Sequence, residues 1–114
     1  MEVVEMLLLF DYYGELLSQR QRTCLDLRYN QDLSLAEIAQ ELGVSRQGVF
    51  DNISRAEAHL LKMEQKTGCV RRYLQSRKAM QTIADHAAHL RGHEDPAVRE
   101  AAEAILMASA SIEE

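Results

Sequence analysis

Apolar residues recur every three to four positions along almost the whole chain, the spacing of amphipathic helices. Val3, Met6, Leu7 and Phe10 predict a first helix from about Glu2 to Tyr13, and Gly14 is expected to end it. Ser18 is placed to cap a second helix running to about Tyr29, with Cys24, Leu25 and Leu27 on its apolar side. The run Tyr29-Asn30-Gln31-Asp32 reads as a turn. Ser34 followed by Glu37 is a capping box, and it opens a third helix from Leu35 to Leu42. Leu35, Ile38, Ala39 and Leu42 share one face of it, and Gly43 closes it in a left-handed conformation. Ser45 caps a fourth helix that reaches about Lys66, before Thr67 and Gly68.

A fifth helix begins near Val70 and carries a long apolar stripe: Tyr73, Leu74, Met80, Ile83, Ala84, Ala87 and Leu90. "RGHEDPA" is the clearest break in the chain, with Asp95 as a cap and Pro96 at the next helix's first position. That sixth helix is expected to end near Ala108 and to bury Val98, Ala101, Ala102, Ile105 and Leu106. The tail "SASIEE" is expected to fray.

Composition agrees with this reading. One Pro and five Gly in 114 residues leave good helix formers dominant. The expected fold class is all-α, a helical bundle with a helix-turn-helix and a C-terminal helical extension. Residues 1–68 would form the helix-turn-helix part. Residues 69–114 would pack on it within one structural domain or form a dimer interface. No run approaches the roughly 18–20 apolar residues that cross a bilayer, so no membrane insertion is expected. Glu2 and Glu5 stand where a signal peptide carries basic residues, and no small-residue cleavage site follows. Cys24 and Cys69 make no disulfide framework and read as two small apolar thiols, which suits a cytoplasmic protein.

The third and fourth helices carry the specific signal. A small Ala39 lets the next helix cross close above it, Gly43 turns the chain, and Val49 returns an apolar side chain into the angle. Ile38, Leu42 and Val44 are expected to fill the rest of that wedge. On the fourth helix Val49, Ile53, Ala56 and Leu60 cluster on one side at about 100° per residue. Gln47, Asp51, Ser54 and Arg55 lie opposite, with Lys62 further along. The candidate nucleic-acid-binding residues are therefore Ser45, Arg46, Gln47, Asp51, Ser54 and Arg55. Ser45 and the free N–H groups at the helix start suit a phosphate. Arg46 and Arg55 suit phosphate or guanine, and Gln47 can pair with adenine. Asp51 can accept from a cytosine amino group or repel the backbone. Gly48 weakens the helix by about 1 kcal/mol relative to Ala.

Overall acidity argues against such a role until charge is counted by segment. Residues 1–45 are net −5, residues 46–78 are net +5 and residues 79–114 are net −5. A basic middle between acidic ends is a local footprint for phosphate.

"LSQRQRTCLDLRYNQDLSLAEIAQELGVSRQGVFDNISRAEAHL" is similar to region four of sigma factors, where a "LSxRQR" helix precedes the helix-turn-helix. More closely, "LLFDYYGELLSQRQ" and "YNQDLSLAEIAQELGVSRQGVFDNISRAE" resemble the YlxM family, over about residues 5–65. These are small helix-turn-helix proteins encoded beside signal-recognition-particle genes in many Gram-positive bacteria. The resemblance implies a cytoplasmic bacterial protein with a regulatory role, tied through gene neighbourhood to the signal-recognition-particle pathway. Gly48 stands where that family often has Ala, and the chain from Val70 on matches only as further helix.

Nothing points to catalysis or to a cofactor. His86, His89 and His93 share a helix face, but the third lies at the break before Pro96 and no fourth ligand is near in sequence, so a solvated polar face is the reading. No Gly-rich phosphate loop or nucleophile–base pair stands out, and Ser18, Ser34 and Ser45 are explained as caps. The long stripe on the fifth helix suggests a homodimer, the usual state for reading paired half-sites in double-stranded DNA. Two functions follow. One is a DNA-binding regulator. The other is a protein- or RNA-interaction module, accessory to signal-recognition-particle components, that uses the same fold without specific DNA binding. A free-standing sigma-like domain is a weaker third, since the chain is too short to hold a promoter-melting region as well.

Overall fold

The computed structural model describes residues 3–112. Among them the chain is all-α: α1 (Val3–Tyr13), α2 (Gln19–Leu25), α3 (Leu35–Leu42), α4 (Arg46–Thr67), α5 (Cys69–Leu90) and α6 (Pro96–Ile112), with no strand. No helix there is long and apolar enough to cross a membrane. Contacts divide the chain into two compact units, Met1–Val70 and Arg71–Glu114.

In the first unit α1, α2 and α3 all pack on α4. Two capping boxes set the starts of α2 and α3. Ser18 Oγ accepts the Gln21 N–H at 3.2 Å while the Gln21 side chain accepts the Ser18 N–H. Ser34 and Glu37 repeat the arrangement at 3.1 and 3.0 Å. The Ser34 backbone N–H, and then its hydroxyl, hold the Glu37 carboxyl below the usual carboxylate range.

The core places Ile38, Val49, Ala56 and Leu60 fully out of water, with Ala39 beside them. α3 ends as its sequence predicts. Gly43 is left-handed at φ 68°, and the Val44 N–H reaches back to the Ala39 carbonyl at 3.1 Å. Val44 itself is 37% exposed, so it does not fill the wedge; it rides in the turn between the helices.

Two local readings change. On α1 the buried side chains are Met6, Leu9 and Tyr13, whereas Val3 is exposed and Leu7 and Phe10 are half-buried. Apart from Glu5, α1 is apolar from Val3 to Phe10, so periodicity alone did not fix which stripe faces α4. Gly14 ends α1 as expected, without adopting a left-handed φ. It leads into a 3-10 turn, Gly14–Leu16, and is buried where an added Cβ would lie 2.8 Å from the Phe10 ring. Space, not conformation, calls for glycine there.

The second change is at the end of α2, which widens into a π-helical turn at Asp26–Asn30 instead of continuing as α-helix. The Gln31 N–H closes on the Asp26 carbonyl at 3.2 Å, and Asp32 then turns the chain at φ 55°. The wide turn keeps Leu27 in the core while the Tyr29 hydroxyl donates to Glu57 Oε2 at 2.9 Å.

A polar node closes the first unit. The Tyr13 hydroxyl donates to Glu64 Oε1 at 2.7 Å, and Thr67 Oγ1 bonds the same phenol. Glu64 Oε1 also accepts the Val70 N–H at 3.0 Å, past the left-handed Gly68. Burial first, with the Glu64 carboxylate adding to it, pushes the Tyr13 phenol above its ordinary range.

The second unit differs. Asp95 Oδ1 accepts the Ala97 N–H at 2.9 Å and Pro96 follows as the first residue of α6, as expected. Arg91 Nε meets Glu103 Oε1 at 2.6 Å with both side chains about half exposed, a pair worth little. α6 runs on to Ile112, beyond the expected end at Ala108, and buries Ser109; Glu113 and Glu114 of the expected frayed tail lie outside the described residues. The expected burial does not materialise: Ala102 is covered, but Ala101 and Ile105 are exposed and Val98 and Leu106 only half-buried. On α5 Ala87 is buried, whereas Tyr73, Leu74, Ile83 and Leu90 stand 39–49% exposed.

Candidate nucleic-acid interface

α4 is a 22-residue helix with two jobs. Its apolar stripe holds the first unit together, and its other side is open. At its start Ser45 has extended backbone, and its Oγ accepts the Gly48 N–H at 3.0 Å. A Cβ on residue 48 would come within 3.1 Å of that oxygen. Glycine at position 48 therefore gives the cap room, at the helix-propensity cost anticipated from sequence. The cap also commits Ser45 Oγ as an acceptor, leaving the hydroxyl hydrogen for an incoming oxygen.

Ser45, Arg46, Gln47, Asp51, Ser54 and Arg55 are all exposed, together on the first three turns of the helix. They are not one flat patch. At about 100° per residue, Arg46 and Arg55 fall on opposite flanks, with Ser54, Gln47 and Asp51 in the arc between. Phe50, 50% exposed, lies in the same arc and was not among the sequence candidates. The signal for it was available: Phe50 falls outside the Val49–Ile53–Ala56–Leu60 stripe, where an aromatic side chain has no core to enter.

Asp51 is not a lone charge on this face. Gln47 Nε2 donates to Asp51 Oδ1 at 3.0 Å, one helical turn apart. The pair fixes which way the Gln47 amide points. It leaves outward one amide hydrogen, the Gln47 carbonyl oxygen and the second Asp51 oxygen.

Further along, α4 segregates its charges. Glu57 and Glu64 sit on the flank that meets the tyrosines, and Tyr29 and Tyr13 bind them there. Burial first, then the bonded Glu57 carboxylate, pushes the Tyr29 phenol up to about 12. On the other flank Arg55, His59, Lys62 and Lys66, with Ala58 and Met63, line an open groove. None of those four basic side chains forms a salt bridge among the described residues. His59 and Lys66 were not singled out from sequence, although helical spacing places them with Arg55 and Lys62 on one side of α4 and Glu57 and Glu64 on the other.

No group of three or more His, Cys, Asp or Glu side chains among the described residues is arranged to hold a metal ion. His93 Nδ1 instead accepts the Asp95 N–H at 3.0 Å in the turn before α6.

An all-α scaffold that presents a capped, exposed helix behind a tight glycine turn defines a helix-turn-helix protein. The chain belongs to the UPF0122 family, whose description is "Putative helix-turn-helix protein, YlxM / p13 like" and whose model matches residues 1–98. It is 49% identical over 85 residues to a UPF0122 protein of Acetivibrio thermocellus, covering 74% of this chain and 73% of that one. A UPF0122 protein of Listeria innocua is 49% identical over 73 residues, 64% of this chain and 66% of the relative. One from Geobacillus kaustophilus is 41% identical over 85 residues, 75% of this chain and 77% of the relative.

Proposed function

We propose that the protein is a cytoplasmic DNA-binding regulator that reads double-stranded DNA with the first turns of α4, without a catalytic step or cofactor. The observation that carries this reading is the exposed arc bounded by Arg46 and Arg55. A helix entering a major groove about 12 Å wide meets a phosphate backbone on each side and base edges between. Arg46 and Arg55 would meet the two backbones or a guanine, and Ser45 with the helix N-terminus a phosphate. Gln47, Asp51 and Ser54 would face base edges. The Gln47–Asp51 pair offers two acceptors and one donor, a pattern suited to a cytosine or adenine amino group. Phe50 would touch a thymine methyl.

The exposed apolar side chains of α5 and α6 support a homodimer, which would present two reading helices to half-sites one helical turn, about 34–36 Å, apart. Selection of bound sequences from a random duplex pool tests the reading. An enriched, two-fold-related motif is expected, weakened by Arg46→Ala with Arg55→Ala. No enrichment at low salt would sink it. A second reading keeps the module but directs it to a protein or RNA partner among signal-recognition-particle components. Asp51 in the arc and the acidity outside residues 46–78 favour it. Co-purification of that particle's protein or RNA, with no duplex selected, would establish it in place of the first.

A further inference from the structure

The groove along the second half of α4 is a separate feature from the reading arc. Arg55, His59, Lys62 and Lys66 recur at i, i+4, i+7 and i+11, within an arc of about 60° on the helix. They extend about 16 Å along its axis, at 1.5 Å rise per residue. No carboxylate among the described residues pairs with them, and the helix's own Glu57 and Glu64 are held on the other flank by Tyr29 and Tyr13. A row of basic groups with no ion pair among the described residues, where the neighbouring Asp51 is engaged by Gln47, is an electrostatic site whose ligand is an extended anion.

We infer that this row is a phosphate track that holds the backbone of duplex DNA beyond the bases read by the start of α4. Only the choice of DNA as occupant rests on the function proposed above. Arg55 bounds the reading arc and also begins the row, so a strand leaving the groove past Arg55 meets His59, Lys62 and Lys66 in turn. Successive phosphates of one strand advance 3.4 Å along the duplex axis but lie roughly twice as far apart along the winding backbone, so the row spans about two to three phosphates. The groove favours a duplex over a single strand. Single strands are held by bases stacked on aromatic rings, and apart from the His59 imidazole the lining has none. Contacts of this kind carry affinity and register but no sequence information.

Two variants separate the track from the reading arc. One replaces His59, Lys62 and Lys66 together by Gln; the other combines Gln47→Ala with Phe50→Ala. All five side chains are exposed, and circular dichroism with thermal melting checks that both variants fold. Each is titrated with a mixed-sequence duplex across a salt series and passed through sequence selection.

The triple variant is expected to bind the mixed duplex at least about tenfold more weakly, with its slope of log K against log salt reduced by about 2 to 3. Its selected motif should be unchanged. The arc variant is expected to keep the slope and lose the motif. Unchanged affinity and slope in the triple variant would overturn the track. A wild-type protein that selects no motif but binds mixed duplex through these three residues would overturn the reading arc and leave the track standing. No duplex binding by the wild type at low salt overturns both, even if an RNA hairpin binds.

Discussion

Between Val3 and Val70 fourteen side chains form one buried apolar cluster, running from Met6 to Val70 and centred on α4. Between Arg71 and Ile112 only Ala87, Ala102 and Ser109 are buried, all of them small. Both stretches are helical and both show apolar positions at helical spacing. The difference is what covers the stripe. In the first unit α4 is met by three other helices, so its stripe becomes core. In the second, Ile83 and Ile105 remain nearly half exposed. The hydrophobic effect rewards area removed from water, so an exposed stripe contributes little to the stability of its own unit. Under the homodimer proposed above, a second copy of the chain would cover it.

Core truncation gives the largest effect and breaks the comparison most directly. Leu60→Ala should destabilise the first unit by about 2–5 kcal/mol, the range for emptying a well-packed site. Ile83→Ser should change monomer stability by only about 0.5 kcal/mol, as exposed positions do, while weakening self-association. Urea unfolding followed by circular dichroism, with sedimentation for the oligomer, checks both. Equal losses from the two substitutions would mean that α5 has a core of its own.

A middle-sized effect belongs to the node that ends the first unit. Tyr13→Phe removes the donor to Glu64 and the partner of Thr67, so a loss of about 1–2 kcal/mol is expected. Amide exchange at Val70, whose N–H bonds Glu64, should speed up, while exchange within α6 should not. Uniform acceleration across both units would show that they unfold together.

Much of the first unit was legible in the sequence because its signals are local. Ser34 with Glu37, Gly43 and Ser45 each act on backbone groups within a few residues, so they fixed α3 and the start of α4. The π-helical turn at Asp26–Asn30 was not legible, since it depends on a tertiary match between Leu27, Tyr29 and α4. The second unit misled for the same reason. A stripe at helical spacing shows that a face exists and is silent on what meets it. At the interface, spacing found the exposed arc and also carries the basic row, but the Gln47–Asp51 bond and the tyrosine bonds to Glu57 and Glu64 needed side-chain positions. Those bonds turn Asp51 from a lone negative charge into half of a pair and tie the two glutamates to the flank away from the row.

A smaller effect tests the local signals. Ser34→Ala should cost about 1 kcal/mol by removing the cap. It also removes a hydroxyl that lowers the Glu37 carboxyl. Because the folded value lies below the ordinary 4.5, this interaction stabilises above that pH and is lost as pH falls through the folded value. The stability gap between wild type and variant should therefore narrow on acidification. A gap that stayed constant to low pH would leave the cap without its charged half.

The subtlest effect is a titration at high pH, and it contrasts one tyrosine in each unit. Tyr29 is half-buried and donates to Glu57, whereas Tyr73 is exposed and only accepts from Arg77 at 3.3 Å. The Tyr29 phenol ionises at about 12, above the ordinary 10.0, because burial and the Glu57 carboxylate both oppose a second negative charge. Its contribution is fully present below pH 10 and is lost as pH rises toward 12. Phenolate absorbance should show, beside the Tyr13 phenol that burial also raises, a late step that Glu57→Gln moves downward and Tyr29→Phe removes. If Glu57→Gln leaves that step in place, burial alone sets it. The carboxylate would then not be held on the tyrosine flank, and the charge segregation of α4 would lose one of its two anchors.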